Sequence, residues 1–340
     1  MNTFWRSAQA TRVLLVAALA STSAVGGYSF VKSSQSPSKN VSASPVSSAA
    51  ADASDALNRT VSFTSADAGS CVTWKVEGDK ITDFEQTDCA APHRFEVSFR
   101  ENLATYPSSE FGPNAKMPNQ TRQAQLREEL CLAPTMQYME GMFDQLGKYS
   151  VASILPPQES WDAGDRTLLC GIQATDENGV AVATSGKAKQ QDQSRVVNAG
   201  QCVAVDATSA TKVVDCAAPH QLEATAVVDL LQVFPNHTPS LEEQDQHLSK
   251  ACTQAARDYL GGDDPLYYST LKPFWTTIPA NSWSGGSHSV NCSLIFVEGP
   301  GFATLEGSAK GTFTINGNPP ETRPERAPIV NPEALEELNR

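Results

Sequence analysis

Between residues 241 and 260, apolar side chains stand at Leu241, Leu248, Cys252, Ala255, Ala256 and Tyr259, with polar residues filling the positions between them. That spacing keeps one stripe of a 3.6-residue helix apolar and predicts a helix over about 241–260. Its ends are signalled as well. Ser240 and Glu243 after Pro239 form a capping box, and Gly261-Gly262 supplies the stop. An equivalent helix in the first half has Asn119 at the capping position, but Pro134 lacks an N–H and is expected to kink or end it. Short β-rich runs at Cys202–Val205, Lys212–Val214 and Gln221–Leu230 predict strands. So do Leu168–Gln173 and Ser289–Val297, each leading into a Gly-containing turn, 176–179 or 298–301, and a further strand. The pattern predicts an α+β fold, an antiparallel sheet packed on one main helix.

The chain also matches itself at an offset of about 125 residues. Ala68-Gly69-Ser70-Cys71 corresponds to Ala199-Gly200-Gln201-Cys202, and Asp88-Cys89-Ala90-Ala91-Pro92-His93 recurs intact as Asp215 to His220. Cys131 and Tyr138 recur as Cys252 and Tyr259. Pro157, Trp161, Gly164 and Cys170 return with unaltered spacing as Pro279, Trp283, Gly286 and Cys292, and Gly186 and Lys189 return as Gly307 and Lys310. Agreement at so many ordered positions implies two tandem copies of one domain, 59–192 and 193–315.

The ends read differently. Arg6 and Arg12 precede an uncharged stretch from Val13 to Val31, and Lys32 closes it. Nineteen helical residues reach roughly 28 Å, just enough for a bilayer core. Only Val13 to Ala20 is densely apolar, so the segment 1–32 is expected to be a signal-anchor, with a cleaved signal peptide as the alternative. Both readings place the remainder outside the membrane: a single-pass protein with extracytoplasmic C-terminal domains, or a secreted one. Residues 33–58 are mostly Ser, Ala and Pro with scattered polar residues and no aromatic side chain, and read as a disordered tether. The Pro- and Glu-rich residues 316–340 read as a disordered tail.

Composition narrows the function classes. A net charge of -13 repels a phosphate backbone, so nucleic acid is not an expected partner. All 8 cysteines lie between residues 71 and 292, which fits disulfides in an oxidising compartment. Two self-contained sets of four leave three pairings per copy. The favoured one joins Cys71 to Cys89, Cys131 to Cys170, Cys202 to Cys216 and Cys252 to Cys292, closing a hairpin and tying the helix to a late strand. Cys89 with His93, and Cys216 with His220, could each offer two ligands to zinc. No close-spaced second pair accompanies either, so no metal and no cofactor is expected, and the two histidines are expected to fix the chain's turn.

Catalysis has no visible constellation. Pairing consumes every thiol, and no Gly-x-Ser-x-Gly, Ser-x-x-Lys or His-Glu-x-x-His motif occurs. Asp263-Asp264 and Asp176-Glu177 adjoin Gly or Pro and read as turns, and Trp161 and Trp283 as core. Tyr267, Tyr268, Phe274 and Trp275 stand outside the repeated pattern and are the candidates for a surface contact.

The Gly-x-Cys start, the Asp-Cys-Ala-Ala-Pro-His corner, the helix with its Cys and the late Pro-x3-Trp-x2-Gly-x5-Cys together resemble the septum-formation domain of actinobacterial envelope proteins. The likeness covers roughly residues 66–315. It implies a membrane-attached accessory of cell division or the cell wall, with envelope proteins, division proteins or wall polymer as partners, and no catalytic residues to carry over. The expected function is therefore non-catalytic binding or scaffolding, the alternative being an envelope enzyme or ligand-sensing ectodomain.

Overall fold

The structure, a computed structural model, describes residues 65–326 apart from 78–79, 107–108, 177–178, 209 and 300. The expected signal-anchor and tether lie outside the described residues, as does the chain beyond 326.

The first half builds an antiparallel sheet from β1 (Cys71–Glu77), β2 (Lys80–Thr87), β3 (Phe95–Asn102), β4 (Tyr149–Ile154), β5 (Thr167–Thr175) and β6 (Ala181–Val182). Their order is β2-β1-β3-β5-β4, with β6 added to β5. The second half builds another from β7 (Cys202–Val205), β8 (Thr211–Val214), β9 (Leu222–Asp229), β10 (Lys272–Trp275) and β11 (Ser289–Ile295). Its order is β10-β11-β9-β7-β8. Read from the hairpin end, the two orders agree strand for strand. In both β3 and β9 the first four residues are buried and the last four alternate, so each strand starts covered on both faces and ends with one face open.

In the first half α1 (Gln120–Leu126) starts at Asn119, whose side chain accepts from Arg122 N–H. A π-helical turn, Arg127–Cys131, follows and passes into α2 (Leu132–Tyr138). The helix therefore continues across Pro134 instead of ending there. Pro134 cannot donate to the carbonyl four residues back, and the widened turn just before it takes up that misfit. The second half's helix, α4 (Leu241–Leu260), has the expected bounds. Ser240 and Glu243 close the capping box, and Gly261 ends it at φ 90°, a left-handed conformation that favours glycine. Gln244, Leu248, Cys252 and Ala256 form its buried stripe, whereas Leu241 is exposed. Gln244 belongs in the core because its side chain accepts from Ile278 N–H at 2.8 Å and donates to Ile278 O at 2.9 Å. Shorter helices are α3 (Gln158–Asp162), α5 (Asp263–Ser269) and α6 (Ala280–Ser284). The acidic pair Asp263-Asp264 thus opens a helix instead of forming a turn; Arg257 bonds Asp263 at 2.6 Å.

The chain divides into two compact units. Among the described residues, one comprises those up to Arg195 together with Pro279–His288; the other comprises Val196–Ile278 and the described residues from Ser289 on. Residues 279–288, assigned from the sequence to the second copy, therefore pack within the unit that holds the first. Asp144, buried there, accepts from Ser282 Oγ at 3.0 Å, Ser287 Oγ at 2.6 Å and Leu146 N–H at 3.0 Å. The approach is close enough that a Cβ on Gly285 would lie 2.9 Å from Asp144 N.

Candidate functional site

The shared corner begins with an aspartate. Asp88 Oδ1 accepts from Ala90 N–H at 2.9 Å and Asp215 Oδ1 from Ala217 N–H at 2.8 Å, so each carboxylate caps a tight turn. The cysteine that follows is disulfide-bonded: the four bridges are Cys71–Cys89, Cys131–Cys170, Cys202–Cys216 and Cys252–Cys292. The carbonyl of that cysteine accepts from a late glycine, Gly186 N–H to Cys89 O at 2.6 Å and Gly307 N–H to Cys216 O at 2.7 Å. Next come the buried histidines. His93 Nδ1 lies 2.9 Å from Ala91 O and His220 Nδ1 2.8 Å from Ala218 O. A carbonyl only accepts, so Nδ1 carries a proton in each, the tautomer that puts the lone pair on Nε2. His220 also pairs its backbone with Leu305, and His93 with Thr184.

Three residues past each histidine stands a glutamate that neither period nor motif singles out. Glu96 and Glu223 are the second residues of β3 and β9 and are 2% and 0% exposed. Tyr138 Oη donates to Glu96 Oε1 at 2.5 Å and Ala188 N–H to Oε2 at 2.7 Å. Glu223 receives Tyr259 Oη at 2.6 Å and Ser308 Oγ at 2.8 Å on Oε1, and Ala309 N–H at 2.7 Å on Oε2. Each carboxylate thus ties strand, helix end and late loop together. Burial beside the carboxylate raises the Tyr138 and Tyr259 hydroxyls well above the ordinary phenol range, and pushes Tyr149 up to about 12. The ring of Tyr259 is capped by Lys310 Nζ at 4.0 Å, and that of Tyr138 by Lys189 Nζ at 5.7 Å. The signal that could have revealed these glutamates was in plain view: His-x2-Glu occurs in both halves at the same distance from the corner.

The other candidates are placed as follows. Phe274 and Trp275, expected at the surface, are 3% and 4% exposed and are corrected to core. They lie in β10, where alternation sends Phe274 onto Leu222, Ile295 and the Phe302 ring. Trp275 Nε1 donates to Asp245 Oδ1 at 3.0 Å. Tyr267 is half-buried, with Arg323 4.9 Å from its ring, while Tyr268 is exposed. That contact, with Arg326 3.8 Å from Asp264, shows the start of the expected disordered tail lying against α5. Trp161 is buried, donates to Ala115 O at 2.8 Å and carries the buried Arg166 4.2 Å from its ring, so it offers no open stacking face. Beside it an open groove of about 540 Å³ is lined by Pro113–Met117, Gln158 and Asp162. No helix among the described residues is long and apolar enough to cross a membrane.

A family model described as septum formation matches residues 68–292, a single span across both halves. Mycobacterium tuberculosis, in strains CDC 1551 / Oshkosh and H37Rv, carries an uncharacterised membrane protein 35% identical to this chain over 290 residues. The match takes in 84% of this chain and 63% of the relative, so the chain spans less than two thirds of its relatives' length. No solved structure matches it. On the extent of these matches, the chain belongs to the septum-formation family.

Proposed function

We propose that this chain is a non-catalytic, extracytoplasmic binding or scaffolding protein of the cell envelope, accessory to septum formation. In this reading two copies of one module stand outside the membrane on a tether, held by the segment 1–32. The observation that carries it is how the shared chemistry-bearing residues are used. In each half the cysteines, the histidine and the glutamate are buried or bonded within the fold. Turnover needs such groups at a cleft where substrate can reach them. Membership of the septum-formation family supports the cellular role, and the relatives' being described as membrane proteins supports the attachment. Two modules on one chain bind a polymeric or clustered partner with avidity that neither reaches alone.

Co-sedimentation of the purified ectodomain with isolated wall material tests the binding, and a fluorescent fusion in dividing actinobacterial cells tests the place. Retention on the wall and enrichment at the septum are expected. Uniform membrane fluorescence through division together with no retention on wall material would sink the proposal, and pH-dependent breakdown of wall fragments would replace it with an enzyme.

A further inference from the structure

Beside the disulfide of the second half, Cys202, His220 and Glu223 converge: one ligand atom from each lies within 4.8 Å of the other two, and all three residues are buried. His220 Nε2 is a buried polar atom with no hydrogen-bond partner. Its lone pair is available because Nδ1–H is spent on Ala218 O, the same tautomer and anchoring by which a protein aims an imidazole at a metal. Glu223 is held by Tyr259, Ser308 and Ala309, so its position too is set before any ligand arrives. Cys71, His93 and Glu96 repeat the arrangement in the first half. In the oxidised chain the sulfurs are bonded to one another and make poor ligands.

We propose that Cys202, His220 and Glu223 form a latent zinc site that opens when the Cys202–Cys216 disulfide is reduced. Cys216 is half-buried while Cys202 is fully buried, so an external dithiol attacks Cys216 Sγ. The S–S bond breaks with its electron pair leaving on Cys202 as a thiolate beside His220. The reductant's second thiol then resolves the mixed disulfide, releasing Cys216 as a thiol and departing as a cyclic disulfide, two electrons having passed to the protein. Zinc takes Cys202 thiolate, His220 Nε2 and a Glu223 oxygen, with Cys216 thiolate as the fourth ligand, and the two thiol protons pass to solvent. The proposed site shares Cys216 and His220 with the pair noted in the sequence and adds Cys202 and Glu223. The inference stands apart from the septal reading, since it depends only on this geometry.

The test uses the full-length chain in mild detergent, reduced with a water-soluble phosphine and alkylated with iodoacetamide with or without zinc. The rate at each cysteine is followed by peptide mass spectrometry. Zinc is expected to slow alkylation of Cys202 and Cys216 by about tenfold or more, leaving Cys252 and Cys292 unaffected. His220→Gln removes that protection. A second arm needs no reductant: Cys216→Ala leaves Cys202 free, and cobalt(II) added to it is expected to give a thiolate-to-cobalt charge-transfer band that Cys216→Ala/His220→Gln lacks. Protection spread evenly over Cys202, Cys216, Cys252 and Cys292, or unchanged by His220→Gln, overturns the proposal. So does the absence of both the protection and the cobalt band.

Discussion

Glu223 illustrates how one side chain organises its surroundings. A carboxylate with no exposure is costly unless charge-assisted hydrogen bonds replace its water, and here a phenol, a hydroxyl and a backbone N–H do so. Tyr259→Phe removes one donor and should cost about 1.5–3 kcal/mol in chemical denaturation. The same bond makes stability depend on pH. The folded-state value of Tyr259 is raised above 10.0, so between that and its folded value the unfolded chain has lost a proton that the native chain retains. The contribution is thus fully present below pH 10.0 and declines as pH rises through the folded value; Tyr138 acts in the same direction. Thermal melts of wild type should fall more steeply above about pH 10 than those of the Tyr138→Phe/Tyr259→Phe variant. Parallel curves would show that the tyrosines do not carry the alkaline loss.

Among the elements, α4 shows local and tertiary forces acting together. Its capping box satisfies orphan N–H groups at the first turn, and the bonds from Ser240 hold the Glu243 carboxyl below its usual range. Ser240→Ala is expected to lower stability by about 1 kcal/mol, read from the denaturant midpoint at unchanged slope. Its counterpart in the first half carries a π turn before Pro134, so the two helices solve the same packing task with different backbones. β10 is the instructive misreading. Lys272-Pro-Phe-Trp275 is short, contains proline and lacks a counterpart in the repeated pattern, yet it is an edge strand, where a missing N–H is tolerated. Its two aromatics point to opposite faces, Phe274 onto Leu222, Ile295 and Phe302 and Trp275 toward Asp245 of α4, and both are buried because each face is covered there.

At the scale of the whole molecule the disulfides hold the segments that close the longest local loops. Cys252–Cys292 spans 40 residues and joins α4 to β11, while Cys202–Cys216 spans 14 and closes the hairpin of β7 and β8. Chain entropy gives them about 4 and 3 kcal/mol respectively. Cys252→Ser/Cys292→Ser should accordingly lower stability more than Cys202→Ser/Cys216→Ser, and calorimetry of the two variants ranks them. The reverse order would mean that local packing around the hairpin, not loop closure, dominates.

The sequence by itself determined what is local or repeated. Period and capping set the bounds of α4, and self-similarity marked the Asp-Cys-Ala-Ala-Pro-His corner and divided the cysteines into sets small enough to pair. Only the tertiary structure decided what depends on approach between distant segments. Glu96 and Glu223 look like ordinary strand residues until a tyrosine from the helix end and an N–H from the late loop arrive at the same buried point. Likewise Phe274 is covered by Leu222, Ile295 and Phe302, Trp275 meets Asp245 of α4, and residues 279–288 find Asp144. Hydrogen-bond and apolar complementarity act over a few ångströms in space, and spacing along the chain records them only where the chain itself brings the partners together.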